Sequence, residues 1–313
     1  MPPKPTVFVT SATGCMGSSL ARQLLSLGTY NVVFTTRNPS SPATTSLVSL
    51  GATAFPASWD DTPGLTTALQ GCTHLFLNTF PSLTDPNQEL TQAKEILRIA
   101  KQAGVTHVVS SGVLPTHTLP QWDPTSWTAP IRLAKQGVET AVRESGIPHW
   151  TLLQPGFFMA NFVDGRKLGF QFPGASETGV FIHANGAGEV YPLIDEEDIG
   201  KFVIKAFEEP ERFDGKVVAF ASEALSAGEV MEVLRRVSGR DVKGGWVSDE
   251  EREREEGMVR MQLENQVAIK GMAGLVDWEA VKGWGVELGT FEGYLGRHRK
   301  ELDETYAKVK RVE

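Results

Sequence analysis

An apolar run, Thr6–Thr10 (TVFVT), leads directly into Ser11-Ala12-Thr13-Gly14-Cys15-Met16-Gly17. A helical pattern follows, with Leu20, Leu24 and Leu27 spaced four and three residues apart. Two glycines three residues apart at a strand-to-helix turn have a specific use. Gly14 lets the backbone come close to a bulky anion, and Gly17 lets the start of the helix pack tightly on the strand. The free N–H groups of the first helical turn then face the anion. A dinucleotide pyrophosphate suits this arrangement, with Ser11, Thr13, Gly14, Met16 and Gly17 as the expected contacts. Ser11 stands where such loops carry their first glycine. It fits the turn less readily but adds a hydroxyl donor.

A second apolar run, Asn31–Thr36, ends in Thr35-Thr36-Arg37-Asn38. An acid at this point would bind the ribose hydroxyls of NAD, and none is present. Arg37 can instead pair with a 2′-phosphate and stack on adenine. The expected cofactor is therefore NADP(H). Asp60, beside Trp59 after a third run (52–57), is placed to flank the adenine. Asn78, Thr79 and Phe80 follow the body of a fourth run (74–78) and fall near the adenosine ribose and pyrophosphate.

These residues need a scaffold that brings strand ends together. Residues 87–103 form a helical pattern with Leu90, Ala93, Ile96, Leu97 and Ala100 on one face. A strand at His107–Ser111, a helix at Ile131–Glu144 and a strand at His149–Leu153 follow. Such alternation predicts an α/β fold: a doubly wound, Rossmann-type parallel sheet whose ligands lie beyond the carboxyl ends of the strands. After Pro155 the pattern changes. Residues 156–193 are rich in Gly and Phe, with little periodicity, and read as loops with short strands. A helix at Asp195–Phe207 and a strand at Lys216–Ala221 come next. The helix at Ser226–Ser238 has the Ser226/Glu229 spacing of a capping box. The remainder is mainly helical. The expected organisation is a nucleotide-binding domain over 1–155, with elements returning from about 194–222, and a smaller domain over 156–313.

The loop Ser11–Gly17, Arg37, Asn78–Phe80, Lys135, Pro155-Gly156-Phe157-Phe158-Met159-Ala160-Asn161-Phe162 and Asp195-Glu196-Glu197-Asp198-Ile199-Gly200, in this order and spacing, resemble the NmrA-like group of atypical short-chain dehydrogenases over about residues 5–300. That resemblance implies a Rossmann domain with a small α/β carboxyl-terminal domain and a site in the cleft between them. It also implies that Pro155, Gly156 and Phe158 pack near the nicotinamide. Members are of two kinds: NADP-dependent reductases, and dinucleotide-binding redox sensors or negative transcriptional regulators that act through a protein partner.

Ordinary short-chain dehydrogenases use Ser, Tyr and Lys, with the tyrosine one helical turn before the lysine so that the ammonium lowers the phenol pKa. Here Ser110 and Ser111 end the fifth strand and Lys135 is present, but Ile131 occupies the tyrosine position. Three readings follow. Lys135, with Ser111, polarises or protonates the substrate. Another group, such as His117, His183 or Tyr191, supplies the proton. Or Lys135 only holds the nicotinamide ribose, and the protein is a sensor. Trp122, Trp127 and Phe181 either line an aromatic substrate pocket or anchor loops and core. The leading expectation is an NADPH-dependent reductase of a small, aromatic or polyketide-like molecule.

Composition excludes several classes. The net charge is −8 and no basic run is present, which argues against direct nucleic-acid binding. No stretch reaches the roughly 18 apolar residues of a bilayer span. The segment Met1–Pro5 has no apolar targeting core, so a cytoplasmic location without a membrane partner is expected, as a monomer or homodimer. Cys15 and Cys72 are the two cysteines, without Cys/His metal spacing. They read as free thiols, and no metal is expected. The mixed-charge run Asp249–Glu256 reads as the solvated start of a helix.

Overall fold

The computed structural model describes residues 3–82 and 85–312. Met1 and Pro2, which belong to the amino-terminal segment considered above, lie outside the described residues. In chain order the first elements are β1 (Thr6–Val9), α1 (Cys15–Leu27), β2 (Asn31–Thr36), α2 (Pro42–Ser49), β3 (Thr53–Pro56), α3 (Thr62–Leu69), β4 (His74–Leu77), α4 (Gln88–Gln102), β5 (His107–Ser111), α5 (Ala129–Glu144) and β6 (His149–Pro155). Then come β7 (Phe157–Phe158), α6 (Gly165–Gln171), α7 (Ala175–Thr178), β8 (Val180–His183), β9 (Val190–Ile194), α8 (Glu196–Glu208), α9 (Pro210–Phe213), β10 (Lys216–Phe220), β11 (Glu223–Ser226), α10 (Ala227–Ser238) and β12 (Lys243–Trp246). The described chain closes with helices α11 (Asp249–Arg254), α12 (Gly257–Ala268), α13 (Trp278–Gly283), α14 (Phe291–Arg297) and α15 (Arg299–Thr305).

Seven strands form one sheet in the order β10-β6-β5-β4-β1-β2-β3. The pairs β1–β2, β1–β4, β2–β3, β4–β5 and β5–β6 are all parallel. The strand order reverses between β1 and β4, so the loops leaving these two strands flank the switch point where doubly wound folds bind ligands. One face is covered by α3, α4 and α5 through a core that includes Phe8, Leu65, Leu69, Leu75, Ile96, Leu97, Val108, Val142 and Leu152. On α1, Leu20 and Leu24 are buried, whereas Leu27, the last residue of the expected stripe, is 49% exposed because the helix ends there.

The chain folds as two compact units: residues 1–113, 130–154 and 199–218 in the first, and 114–129, 155–198 and 219–313 in the second. The segment 114–129, which its place in the sequence puts with the nucleotide-binding half, packs with the second unit. Trp127 Nε1 donates to Met261 O at 3.1 Å and Gln121 Nε2 to Lys270 O at 2.5 Å. The second unit contains a three-stranded sheet, β11-β9-β7, and the parallel pair β12–β8. Its helix α10 opens with the capping box expected at Ser226 and Glu229. The stretch 156–193 is more ordered than its composition suggests, holding α6, α7, β7, β8 and β9. No helix among the described residues is long and apolar enough to cross a membrane. No group of three or more His, Cys, Asp or Glu among them could hold a metal ion. Both cysteines are free, and burial pushes the Cys72 thiol up to about 12.

At the amino-terminal ends of β4, β5 and β6, three histidines share one register: His74 faces His107, and His107 faces His149. Each adjacent pair stacks with ring centroids 4.6 Å apart. Phe207 and Tyr30 pack edge-on against His74, and Asp214 lies 3.3 Å from His149 Nδ1. Burial, then the neighbouring His107, lowers His74 from its ordinary 6.5 to about 4. Burial and His149 also lower His107. The unfolded chain therefore takes up protons that the folded chain refuses. Stability is fully present above about pH 6.5 and is lost as pH falls toward 4, by roughly 3 kcal/mol from His74 alone. The melting temperature is expected to fall between about pH 7 and about pH 5, and to fall less in His74→Phe. An equal fall in both proteins would remove the ladder as the cause.

Candidate functional site

The turn after β1 is built by close backbone contacts. Gly14 N donates to Ser11 O at 2.8 Å, and the first bond of α1 runs from Ser18 N to Gly14 O at 2.9 Å. Among the described residues no side chain caps α1, which leaves the N–H groups of its first turn available to an anion. A Cβ on Gly17 would lie 2.2 Å from Ser11 O and 2.6 Å from Ser11 C, so only glycine fits there. Ser11 has φ of 49°, the left-handed conformation that glycine normally supplies. Its hydroxyl donates to Asn78 O at 2.9 Å, a bond that helps hold this conformation. Thr10 ties the same two strand ends together. Its hydroxyl accepts from Asn78 N at 2.6 Å and donates to Phe76 O at 3.0 Å.

Arg37 is exposed immediately after β2. The backbone beyond it is ordered by small hydroxyls: Asn38 N donates to Thr36 Oγ1 at 3.2 Å, and Thr44 Oγ1 donates to Asn38 O at 3.1 Å. Asp60 is exposed after β3 and accepts from Gln92 Nε2 at 2.9 Å. Phe80 is 77% exposed, whereas Asn78 and Thr79 are buried.

Lys135 on α5 is the most constrained polar group of the site. Its ammonium donates to Thr79 O at 2.7 Å and lies 2.5 Å from Glu89 Oε1. The Thr79 hydroxyl donates to the same carboxylate oxygen at 3.0 Å. The side chains of Lys135 and Glu89 are only 11% and 1% exposed. Among the described residues, Glu89 Oε2 is buried without a hydrogen-bond partner. Thr79 follows Asn78 in the chain, so the glycine loop and the lysine are joined through two consecutive residues at the end of β4. Glu89 was not among the residues singled out from the sequence. The signal was available: Glu89 precedes Ala93, Ile96 and Ala100 by four, seven and eleven residues, on the buried face of α4.

Ser110 and Ser111 are buried at the end of β5, and Ser111 Oγ lies 3.5 Å from Met16 Sδ. Ser11, Thr13, Gly14, Met16, Gly17, Arg37, Asp60, Asn78, Thr79, Phe80, Ser110, Ser111 and Lys135 all fall in the first unit. Ile131 stands one turn before Lys135 on α5, so no phenol is available there. Pro155, Gly156 and Phe158 belong to the second unit. A Cβ on Gly156 would lie 2.1 Å from Pro192 O, because β7 runs beside β9 at that point.

Burial narrows the candidates for proton donor and pocket wall. Tyr191 and His183, considered as proton donors, are 3% and 1% exposed and lie 3.3 Å apart inside the second unit. Burial raises the Tyr191 phenol and lowers His183 to about 4, so neither exchanges protons readily near neutrality. Phe181 is fully buried among Phe162, Phe172 and Tyr306, a core position rather than a pocket wall. Trp127 and Trp122 are half-buried, Trp127 edge-on to Phe170 and Trp122 to His117.

The model of the NmrA-like family matches residues 3–303, and the chain belongs to that family. Quinone oxidoreductase 2 of Escherichia coli (strain K12) is 28% identical over 240 residues, 75% of this chain and 76% of its own length. The solved Citrobacter sp. triphenylmethane reductase complexed with NADP(H) matches with a TM-score of 0.72 at 18% identity, covering 94% of this chain and 99% of that one. NmrA, a negative transcriptional regulator solved in complex with NAD, gives 0.68 at 22% identity over 98% and 92% of the two chains. The fold is thus the Rossmann-type α/β fold of this family, with a smaller carboxyl-terminal part.

Proposed function

We propose that this protein is an NADPH-dependent reductase of a small, aromatic or polyketide-like molecule, with Lys135 in place of the Ser-Tyr-Lys set. The observation that carries the reading is the Lys135 ammonium, held by Thr79 and Glu89 in direct continuity with the glycine loop. The residues fit the cofactor: α1 is uncapped, Gly17 has no room for a side chain, and Arg37 is exposed where a 2′-phosphate is read. Ser11, Thr13, Gly14, Met16 and Gly17 would hold the pyrophosphate, and Arg37 the 2′-phosphate. Asp60, Asn78, Thr79 and Phe80 would serve the adenosine side, with Ser110 and Lys135 toward the nicotinamide. The assignment of Pro155, Gly156 and Phe158 to the nicotinamide end rests on the family resemblance. When bound, NADPH supplies the hydride. Lys135 donates a proton to the substrate oxygen, and Ser111, buried at the end of β5, is the hydroxyl that orients it. Similarity to a quinone oxidoreductase and a triphenylmethane reductase supports this chemistry.

A second reading is a non-enzymatic NADP(H) sensor that acts on a protein partner. Ile131 in the tyrosine position and the likeness to a negative transcriptional regulator favour it. The first unit is the nucleotide-binding part in both readings, and the second unit is the part that meets substrate or partner. The test is NADPH oxidation with a panel of quinones, enones and aromatic ketones, with Lys135→Ala as control. Turnover lost in a variant that still melts cooperatively and binds NADPH supports the reductase; tight NADPH binding by the parent with no turnover on any acceptor supports the sensor. Arg37→Ala is expected to weaken NADPH by about 10- to 100-fold, or about 1.4–2.7 kcal/mol, while leaving NADH within about threefold. Titration of both cofactors measures this, and equal losses would reject the assignment of NADP(H).

A further inference from the structure

We infer that Glu89 is a positioning residue that keeps Lys135 in place and positively charged; this rests on the reading of Lys135 as the proton donor and deepens it. Glu89 lies on the buried face of α4 and reaches Lys135 on α5, 46 positions later in the chain. Two features separate this pair from an ordinary ion pair. First, Glu89 is fully buried, so solvent does not offset its charge. Second, among the described residues its Oε2 has no hydrogen-bond partner, while Oε1 receives both the Lys135 ammonium and the Thr79 hydroxyl. A buried carboxylate that only served stability would be expected to satisfy both oxygens. With Oε2 unpartnered, the positive charge that balances Glu89 comes from Lys135.

The converse holds for the lysine. A largely buried amine favours its neutral form unless an anion stands beside it. Glu139, one turn further along α5, is bonded to Gln154 Nε2 at 2.8 Å and lies 3.5 Å from Arg143. Glu89 is thus the acid bonded to the Lys135 ammonium. The ammonium has three protons; Thr79 O and Glu89 Oε1 take two, which among the described residues leaves the third for a ligand. In turnover, Lys135 would give a proton to the substrate oxygen as the substrate carbon takes the hydride that bound NADPH would supply. The neutral amine then regains a proton from water, and the Glu89 carboxylate favours the recharged state.

Glu89→Gln in the full chain tests this. Lysine acetylation of the cofactor-free protein, read at Lys135 by mass spectrometry across a pH series, reports the charge state without turnover. The pH of half-maximal labelling is expected to fall in the variant, because the buried amine loses the anion beside it. With a quinone acceptor, the alkaline loss of kcat should move to lower pH by a similar amount, while KM for NADPH changes less than about threefold. Should Glu89→Gln fail to melt cooperatively, Glu89→Asp carries the same measurement, with a smaller shift in the same direction. An unmoved labelling midpoint in a folded variant overturns the role of Glu89. A moved midpoint without turnover on any acceptor upholds control of charge by Glu89 and rejects the reductase reading instead.

Discussion

Gly17→Ala is expected to reduce NADPH affinity by at least about 100-fold, or about 2.7 kcal/mol, and to destabilise the protein by about 1–3 kcal/mol. The added Cβ would meet backbone rather than a side chain: Ser11 O at 2.2 Å, Ser11 C at 2.6 Å and Ala12 Cα at 2.9 Å. Nothing at this point can rotate away. Either the start of α1 withdraws from β1, or the turn at Ser11 opens. The turn has little room to adapt, because Ser11 already sits at φ of 49° and is tied to Asn78 O. Both movements displace the N–H groups that face the phosphates. Gly14→Ala is the comparison, since its Cβ would lie 3.2 Å from Ser11 O. It should cost about tenfold in affinity, or about 1.4 kcal/mol. Fluorescence titration with NADPH and urea unfolding measure both variants. Gly17→Ala with the affinity of the parent would show that the loop does not carry the pyrophosphate.

Lys135→Met is expected to lower stability by about 3–5 kcal/mol, because it leaves the buried Glu89 carboxylate without its counter-charge. Glu89 is 1% exposed, so solvent cannot replace the ammonium. Thr79 would remain as a single neutral donor at 3.0 Å. Removing both charges should be far milder than removing one. The double variant Lys135→Met with Glu89→Gln should recover at least about half of the loss, because a neutral amide costs less to bury than an unpaired carboxylate. Urea unfolding of the parent, both single variants and the double variant gives the coupling directly. A double variant no more stable than Lys135→Met alone would show that the two residues are not energetically paired. This measurement needs no substrate and is independent of the chemistry proposed for the lysine.

Much of the first unit was legible in the residues. The strand runs at 6–10, 31–36 and 107–111, the helices α1, α4 and α5, and the glycine loop between β1 and α1 all depend on short-range pattern. The loop's Gly17 is required by contacts with a residue only six positions earlier. The departure at Ile131 was equally plain, since a missing phenol needs no structure to be noticed.

The second unit is less legible in the residues, for a consistent physical reason. Residues 156–193 resemble a loop in composition, yet Phe162, Phe172 and Phe181 form an aromatic core with Tyr306. Strand β11 exists because Glu223–Ser226 pairs antiparallel with Val190 to Leu193, some thirty residues earlier. Short elements of this kind have too few residues to show a period, and distant partners stabilise them. Tyr191 and His183 looked like loop residues free to reach a site, and the same long-range packing encloses them.

The lysine divides the two levels most clearly. Its presence at position 135, and the absence of tyrosine at 131, are properties of the chain order alone. That its ammonium meets Thr79 O and a carboxylate from another helix is a property of the fold. Helical periodicity placed Glu89 beside Ala93 and Ile96, but not opposite Lys135. Local backbone preferences act between near neighbours and leave their mark in spacing. The pairing of two buried charges 46 residues apart exists only once β4, α4 and α5 have packed together and excluded water from both.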